Sequence, residues 1–199
     1  MGDIIYITDV FKAYERRKVV IYMNRTLATL KGLTAEQLLH KYNISLEPPV
    51  DINLLLNRIG IQKVAYDFNK IEDILQIQKD EITGILYTTD ENIGIFYKYN
   101  DPYNRVRFTL AHELAHCCLH ADTIEQRHIE TRTKNNAKEP REIQANIFAG
   151  EILIPKYTLD LVYNKFISTP PISVLARIFE VSISVMKARL DYLELPYGE

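Results

Sequence analysis

The sequence has 199 residues, of which 47% are hydrophobic and 25% charged, and its formal net charge is -2. This composition is typical of a globular protein, and the length suffices for one compact core with a small additional lobe. The near-neutral charge excludes a globally cationic surface for nucleic acid, although a local patch stays open. No apolar run approaches the roughly 18 residues that a membrane-spanning helix needs, so no contact with a membrane is expected.

The first residues and the cysteines together predict a cytoplasmic protein. Asp3 and Asp9 stand where a secretory signal needs basic residues, and no small-residue cleavage site follows. Cys117 and Cys118 are adjacent, so a bond between them would close a strained ring. We therefore expect both cysteines to be small core residues, not disulfide partners or metal ligands.

The first half of the chain predicts three helices followed by three strands. The predicted helices cover residues 9–32, 34–42 and 52–59, and the predicted strands cover 61–66, 82–89 and 93–99. Thr34 and Asp51 are typical N-caps, and Gly60 is a typical helix end. In the third strand alternate residues are apolar or aromatic, which favours a half-buried antiparallel strand.

The second half predicts mainly helices. A long helix begins at Asn104, a polar loop without periodicity covers 121–138, and a helix over 140–154 ends at Pro155. Two or three short helices then extend to Leu193. The predicted organisation is a helical extension over 1–33, a core over 34–155 and a helical lobe over 156–199.

The most informative pattern is the HExxH motif formed by His112, Glu113 and His116. Residues four apart lie on one face of a helix, so both imidazoles can reach the same ion. Zinc (Zn²⁺) prefers nitrogen and oxygen donors and keeps one position open for water in catalytic sites. Glu113 is offset around the helix, where a carboxylate can take the proton of a water that the metal activates. This spacing is typical of metal-dependent peptide hydrolysis.

The alternative is a chance motif on a solvated helix. Against it, the motif lies within an apolar helix directly after a predicted hairpin. In addition, three of the five histidines in the chain (His112, His116 and His120) recur every four residues. We therefore interpret the motif as a metal site.

Two histidines leave a tetrahedral ion one protein ligand short. The downstream candidates are Glu139, Glu142, Glu151, His120 and His128. Glu142 is preferred because it opens a helix whose apolar residues can pack on the core. Asn146 follows four residues later on the same face, where it can hydrogen-bond a metal ligand. From the residues alone, a solvated glutamate at a helix N-terminus stays an open alternative for Glu142.

Two segments of the chain together resemble the ImmA/IrrE family of zinc metallopeptidases. They are RVRFTLAHELAHCCLH from Arg105 and EIQANIFAGEILIP from Glu142. Residues 48–52 (PPVDI), before a short helix and Gly60, are a weaker third match, and the likeness extends over about 35–195.

This resemblance implies an α+β, zincin-like fold with a small antiparallel three-stranded sheet, an active-site helix and a helical C-terminal lobe. It implies that His112, His116 and Glu142 bind zinc and that Glu113 is the general base of a gluzincin-type endopeptidase. Members of the family include cytosolic enzymes that cut helix-turn-helix repressors and so release phage, mobile-element or stress genes.

Hydrolysis of an amide also needs a donor for the developing oxyanion. The candidates are Tyr157, Tyr103, Arg107 and His128. Tyr157, just after the Pro155 break, is the preferred one.

Residues 172–190 have the pattern of a helix-turn-helix. The second helix carries Lys187 and Arg189 as its cations, beside Asp191 and Glu194. Because phosphate neutralisation drives affinity for DNA, direct nucleic-acid binding is disfavoured, and packing of these helices on the core is preferred.

The sequence therefore predicts a zinc endopeptidase whose partner is a protein substrate, a DNA-binding repressor. Two other functions stay open. One is a non-catalytic regulator that binds DNA or a repressor through the C-terminal helices. The other is a toxin-like module paired with an antitoxin. No oligomeric state is predicted.

Overall fold

The computed structural model describes residues 25–69, 72, 82–89, 92–123, 127–131 and 139–199. The described helices are α1 (Arg25–Leu30), α2 (Ala35–Lys41), α3 (Ile52–Ile59), α4 (Tyr103–Leu119), α5 (Pro140–Leu153), α6 (Lys156–Tyr163), α7 (Ile172–Ile178) and α8 (Ile183–Tyr192). The described strands are β1 (Gln62–Tyr66), β2 (Ile82–Thr88), β3 (Ile93–Lys98) and β4 (Arg127–Thr131). The predicted α+β class is confirmed. The helix predicted over 9–32 lies outside the described residues except for α1 and the turn after it.

Local capping chemistry explains where the early helices begin and end. Thr34 caps α2 through a reciprocal pair of hydrogen bonds with Gln37. The Asp51 carboxylate accepts a hydrogen bond of 2.8 Å from the Leu54 N–H at the start of α3. Gly60 ends α3 with φ of 89°, a left-handed conformation that glycine adopts without a Cβ penalty. These three boundaries are those predicted from the sequence.

The sheet differs from the predicted antiparallel three-stranded sheet, since its described strands are four, in the order β1-β3-β2-β4. β4 comes from the segment predicted to be a loop. Its polar residues gave no strand signal, but an edge strand needs little more than backbone hydrogen bonds to its neighbour. β1 runs parallel to β3, whereas the other pairs are antiparallel. Strand direction follows from the route of the connecting chain, which side-chain alternation does not encode.

The two central strands are buried on both faces, so the prediction of a half-buried β3 is wrong. Ile93 and Ile95 join the main core, as the alternation indicated. Phe96 points to the opposite face, where it packs in a second cluster with Phe68 and Ile85. Helices cover one face of the sheet, and this smaller cluster covers the other.

Helix α4 lies at the centre of the main core. It packs along α5 on one side and on β2 and β3 on another, and all its residues from Thr109 to Cys118 are buried. Cys117 and Cys118 are 0% and 1% exposed, as predicted for core residues, and both are free thiols. Burial raises the pKa of Cys118 to about 12, so both thiols stay protonated and inert at neutral pH.

The C-terminal helices share this core. Leu159, Leu175 and Leu190 belong to the same buried cluster as Leu114 of α4. In the part of the chain that the structure describes, none of the helices has the length and apolar content needed to cross a membrane.

Arg107 joins the start of α4 to the turn between α7 and α8. The side chain is 3% exposed. Its Nε donates to the Glu180 carbonyl at 3.2 Å and its Nη2 to the Phe179 carbonyl at 3.5 Å. These carbonyls lie at the C-cap of α7 and in the turn that follows, where no further helical turn supplies N–H donors, so the buried guanidinium stabilises them directly. Because these hydrogen bonds hold the guanidinium at the turn between α7 and α8, they argue against Arg107 as an oxyanion donor.

Replacing Arg107 by methionine should lower the free energy of unfolding by about 1–3 kcal/mol, because one buried and one partly buried carbonyl lose the Arg107 donor. Urea unfolding of the purified chain measures the change. The matched control is Arg177→Met on α7, an exposed arginine, for which we expect a change within about 0.5 kcal/mol. An equal effect of both variants would contradict the proposed capping.

Candidate metal centre

Three side chains from two helices converge on one point. His112 and His116 lie one turn apart on α4, and Glu142 lies in the first turn of α5. The two Nε2 atoms are 3.0 Å apart. Glu142 Oε2 lies 3.2 Å from the Nε2 of His112, and Glu142 Oε1 lies 3.6 Å from the Nε2 of His116. Among the described histidine, cysteine and acidic side chains, His112, His116 and Glu142 form the group whose donor atoms are close enough to share one ion.

The size of this triangle fits a bound transition metal. With metal–ligand bonds of about 2.0–2.1 Å, neighbouring donors of a tetrahedral site lie roughly 3.3 Å apart. The three separations, 3.0, 3.2 and 3.6 Å, lie on either side of that value. Two imidazoles and one carboxylate also leave a fourth position open, as catalytic sites do. Glu142, the predicted third ligand, therefore lies at distances from both histidines that suit a shared ion.

Asn146 orients the first histidine. Its Oδ1 lies 2.9 Å from His112 Nδ1, and a carbonyl oxygen can only accept, so the ring proton belongs on Nδ1. The lone pair of Nε2 is then directed at the metal position. Asn146 follows Glu142 by one turn of α5, which places ligand and support on the same face.

The site is buried. His112 is 2% exposed and Glu113 and His116 are 0% exposed, so the alternative of solvated surface histidines is wrong. The helix is enclosed because the sheet, α5 and the N-terminal helices all pack against it. Charges separated by a few ångströms interact more strongly in such surroundings than in water.

The other candidates for the third ligand lie elsewhere or are engaged. Glu139 is exposed at the N-terminal boundary of α5. Glu151 lies 3.5 Å from an arginine of α8. His120 Nε2 lies 3.3 Å from a backbone carbonyl at the start of α5. The side chain of His128 lies outside the described part of the structure.

Two of the candidate oxyanion donors are exposed tyrosines near helix starts. Tyr157 is the second residue of α6 and is 67% exposed. Tyr103 begins α4 and is 58% exposed. The role of Tyr157 stays a prediction.

Gly84 in β2 is a site residue that sequence reasoning missed. A Cβ at this position would lie 2.5 Å from Glu113 Oε1 and 2.9 Å from Thr109 Cγ2. The Glu113 carboxylate therefore occupies the space in front of the strand that any other residue would fill. A glycine inside an apolar strand often marks such a close approach. Gly84 within the strand predicted over 82–89 was therefore the signal in the sequence that could have identified this site residue.

Replacing Gly84 by alanine should lower kcat by about 100-fold, because the methyl group displaces the Glu113 carboxylate. The metal content should stay at the wild-type level, since the three atoms nearest to this methyl group belong to Glu113 and Thr109 and not to a ligand. The measurements are peptidase kinetics and metal analysis of the same samples.

The control is Gly94→Ala on β3, where a Cβ meets atoms at 3.9 and 4.0 Å, an ordinary contact distance. This variant should keep activity within about threefold of the wild type. Equal losses in the two variants would indicate a general effect on the sheet, not displacement of Glu113.

A buried HExxH helix, a carboxylate from the next helix and an α+β fold define a zincin-like metallopeptidase. Residues 59–191 match the model of the peptidase M78 family, described as the IrrE N-terminal-like domain. The chain belongs to this family, which confirms the resemblance drawn from the two motifs. A comparison with curated proteins gives no significant match.

Proposed function

We propose that this chain is a cytoplasmic, zinc-dependent endopeptidase whose substrate is a DNA-binding helix-turn-helix repressor. The observation that carries the proposal is the convergence of His112, His116 and Glu142 beside Glu113 within one buried site. Two nitrogens and one carboxylate oxygen form a donor set that suits zinc.

His112, His116 and Glu142 would hold the metal. When bound, it supplies a Lewis acid for the scissile carbonyl and lowers the pKa of water. Glu113 accepts the proton of the attacking water and delivers it to the leaving amine nitrogen, first as general base and then as general acid. Gly84 gives its carboxylate the space to do so. Tyr157 is proposed as the donor to the oxyanion.

The cations of α8 support a protein partner over DNA. Lys187 Nζ lies 3.6 Å from an Asp191 carboxylate oxygen and also contacts the Tyr197 hydroxyl. Arg189 is 6% exposed, and its guanidinium contacts the Glu151 carboxylate and a carbonyl at the end of α5. Both cations of the helix are thus compensated within the protein, which leaves little positive charge for phosphates. The choice of a repressor as substrate rests on the family resemblance.

The test is cleavage of the repressor encoded beside this gene by the purified, zinc-loaded chain. We expect a shortened repressor fragment that disappears with 1,10-phenanthroline and returns when zinc is added back. Metal analysis of the chain as purified should give one zinc per chain.

The rival functions give other outcomes. A non-catalytic regulator would bind the repressor and leave it intact with or without zinc. A toxin-like module would stop growth when expressed alone, without any repressor present. Either result would overturn the proposal.

A further inference from the structure

Glu72 is a buried carboxylate that the peptidase chemistry described above does not use. Its side chain is 0% exposed. Its Oε1 accepts a hydrogen bond of 3.1 Å from the Ile82 N–H at the start of β2. Its Oε2 is buried and has no hydrogen-bond partner among the described residues. Burial of a carboxylate oxygen without a partner lowers stability, so a role beyond folding is expected for a carboxylate at this position.

Glu72 lies beside the smaller apolar cluster, which covers the other face of the sheet from α4. The Glu72 N–H donates to the Phe68 carbonyl at 2.9 Å, one helical turn earlier. Phe68 and Ile82 both belong to this cluster, together with Ile85 and Phe96. Glu72 is thus bonded to residues of the cluster twice, through its backbone N–H and through its carboxylate.

The hydrogen bond from Glu72 reaches β2 at a β-bulge. Ile82 and Gly84 pair with consecutive residues of β4, so β2 has an extra residue, Thr83, in this interval. The bulge explains why Ile82 and Ile85 share a cluster, since residues three apart face opposite sides of a regular strand. Because the ladder of backbone hydrogen bonds is disrupted at a bulge, the backbone there needs another support.

Gly84 lies at the boundary between this bulge and the regular part of β2. The register of β2 with β3 begins at Gly84, which pairs with Tyr97, and continues to Thr88. A Cβ at Gly84 would lie 2.5 Å from Glu113 Oε1, so a small displacement of this backbone toward α4 would crowd the Glu113 carboxylate. The support of residues 82 and 83 therefore affects the space available to the base.

We propose that Glu72 is a positioning residue of the peptidase. Its carboxylate holds the bulge of β2 through the Ile82 N–H, and the bulge keeps the Gly84 backbone where it leaves room for the Glu113 carboxylate. Glu72 acts through the backbone and takes no part in the proton transfer. The inference rests on the proposed peptidase function, since Glu113 is the base of that reaction.

The first experiment measures kcat and KM for cleavage of the repressor encoded beside this gene by zinc-loaded variants. Glu72→Met removes the acceptor and keeps a side chain of similar length, so kcat should fall by about tenfold or more while KM stays within about twofold. Glu72→Gln keeps a carbonyl oxygen that can accept from the Ile82 N–H. It should keep kcat within about threefold of the wild type.

Phe68→Leu is the matched control, because Phe68 is 0% exposed in the same cluster. The smaller side chain should lower the midpoint of urea unfolding. It leaves the Glu72 acceptor in place, so kcat should stay within about twofold of the wild type. Equal losses of kcat in Glu72→Met and Phe68→Leu would show an effect of stability alone and would overturn the positioning role.

A double variant tests whether Glu72 acts through Gly84. In Gly84→Ala the methyl group already displaces the base, so the further change Glu72→Met should lower kcat by less than about twofold. The full tenfold loss on top of Gly84→Ala would mean that Glu72 acts independently of this glycine and would overturn the proposal.

Hydrogen exchange gives a readout that needs no cleavage. The Ile82 amide should exchange at least about tenfold faster in Glu72→Met than in the wild type, because its acceptor is gone. The Leu86 amide, farther along β2, should keep its rate within about threefold. Glu72→Gln should keep the slow exchange of the Ile82 amide.

The two proposals fail in different ways. Cleavage by Glu72→Met with the kcat of the wild type would overturn the role of Glu72 and leave the peptidase intact. Equal exchange of the Ile82 amide in Glu72→Met and the wild type would do the same. Faster exchange in Glu72→Met, with no cleavage by the zinc-loaded wild type, would overturn the peptidase and support the contact of Glu72 with the bulge.

Discussion

Replacing Glu113 by glutamine should lower kcat by about 1000-fold or more while the chain keeps its metal. The amide has the size of the carboxylate but cannot accept the proton of the attacking water. Glu113 is 0% exposed, and a neutral amide costs less to bury than a charged group. The free energy of unfolding should therefore stay equal or rise, a combination typical of residues kept for catalysis.

Three measurements on one preparation check this expectation: cleavage rate, zinc content and urea unfolding. A variant that loses activity together with zinc would show that Glu113 holds the site together instead of acting on water. A variant that cleaves at more than about one tenth of the wild-type rate would assign the proton transfer to another group.

Replacing Glu142 by alanine should remove both the metal and the activity. The carboxylate supplies the oxygen donor of the triangle, at 3.2 and 3.6 Å from the two histidine nitrogens. Loss of a supporting contact to a ligand lowers metal affinity by about 10–100-fold, and loss of the ligand itself should exceed that. The expected zinc affinity is lower by more than about 100-fold, measured by competition with a chelating dye.

Glu139→Ala is the matched control, because this glutamate lies at the same end of α5 and its side chain makes no capping hydrogen bond. It should keep the zinc affinity of the wild type within about threefold. If Glu139→Ala lost the metal and Glu142→Ala kept it, the assignment of the third ligand would be wrong. The folded state should persist in both variants, since neither side chain belongs to the buried core.

Much of the candidate site could be predicted because its main parts are close in sequence. HExxH fixes the relation of His112, Glu113 and His116 wherever the segment is helical. The pairing of Glu142 with Asn146 on one face follows from the same geometry on α5. The caps at Thr34, Asp51 and Gly60 are local for the same reason, since each depends on backbone groups within a few residues.

The errors concern relations between distant segments. The polar residues of β4 carry no strand signal, because β4 is defined by its pairing with β2. The burial of both faces of β3 depends on a second cluster around Phe68 that alternation along β3 does not reveal. The sequence therefore predicts a sheet with fewer strands and with one face exposed.

The sequence by itself determined that His112, Glu113 and His116 lie close together on one helix, because helical periodicity fixes neighbours three or four residues apart. Only the tertiary structure decided that Glu142 and not Glu139 or Glu151 completes the triangle. It also decided that the Glu113 carboxylate occupies the space in front of Gly84. These contacts join residues that are far apart along the chain. They therefore depend on strand register and on how the helices pack against the sheet. Both arise from the sum of many weak contacts across the core.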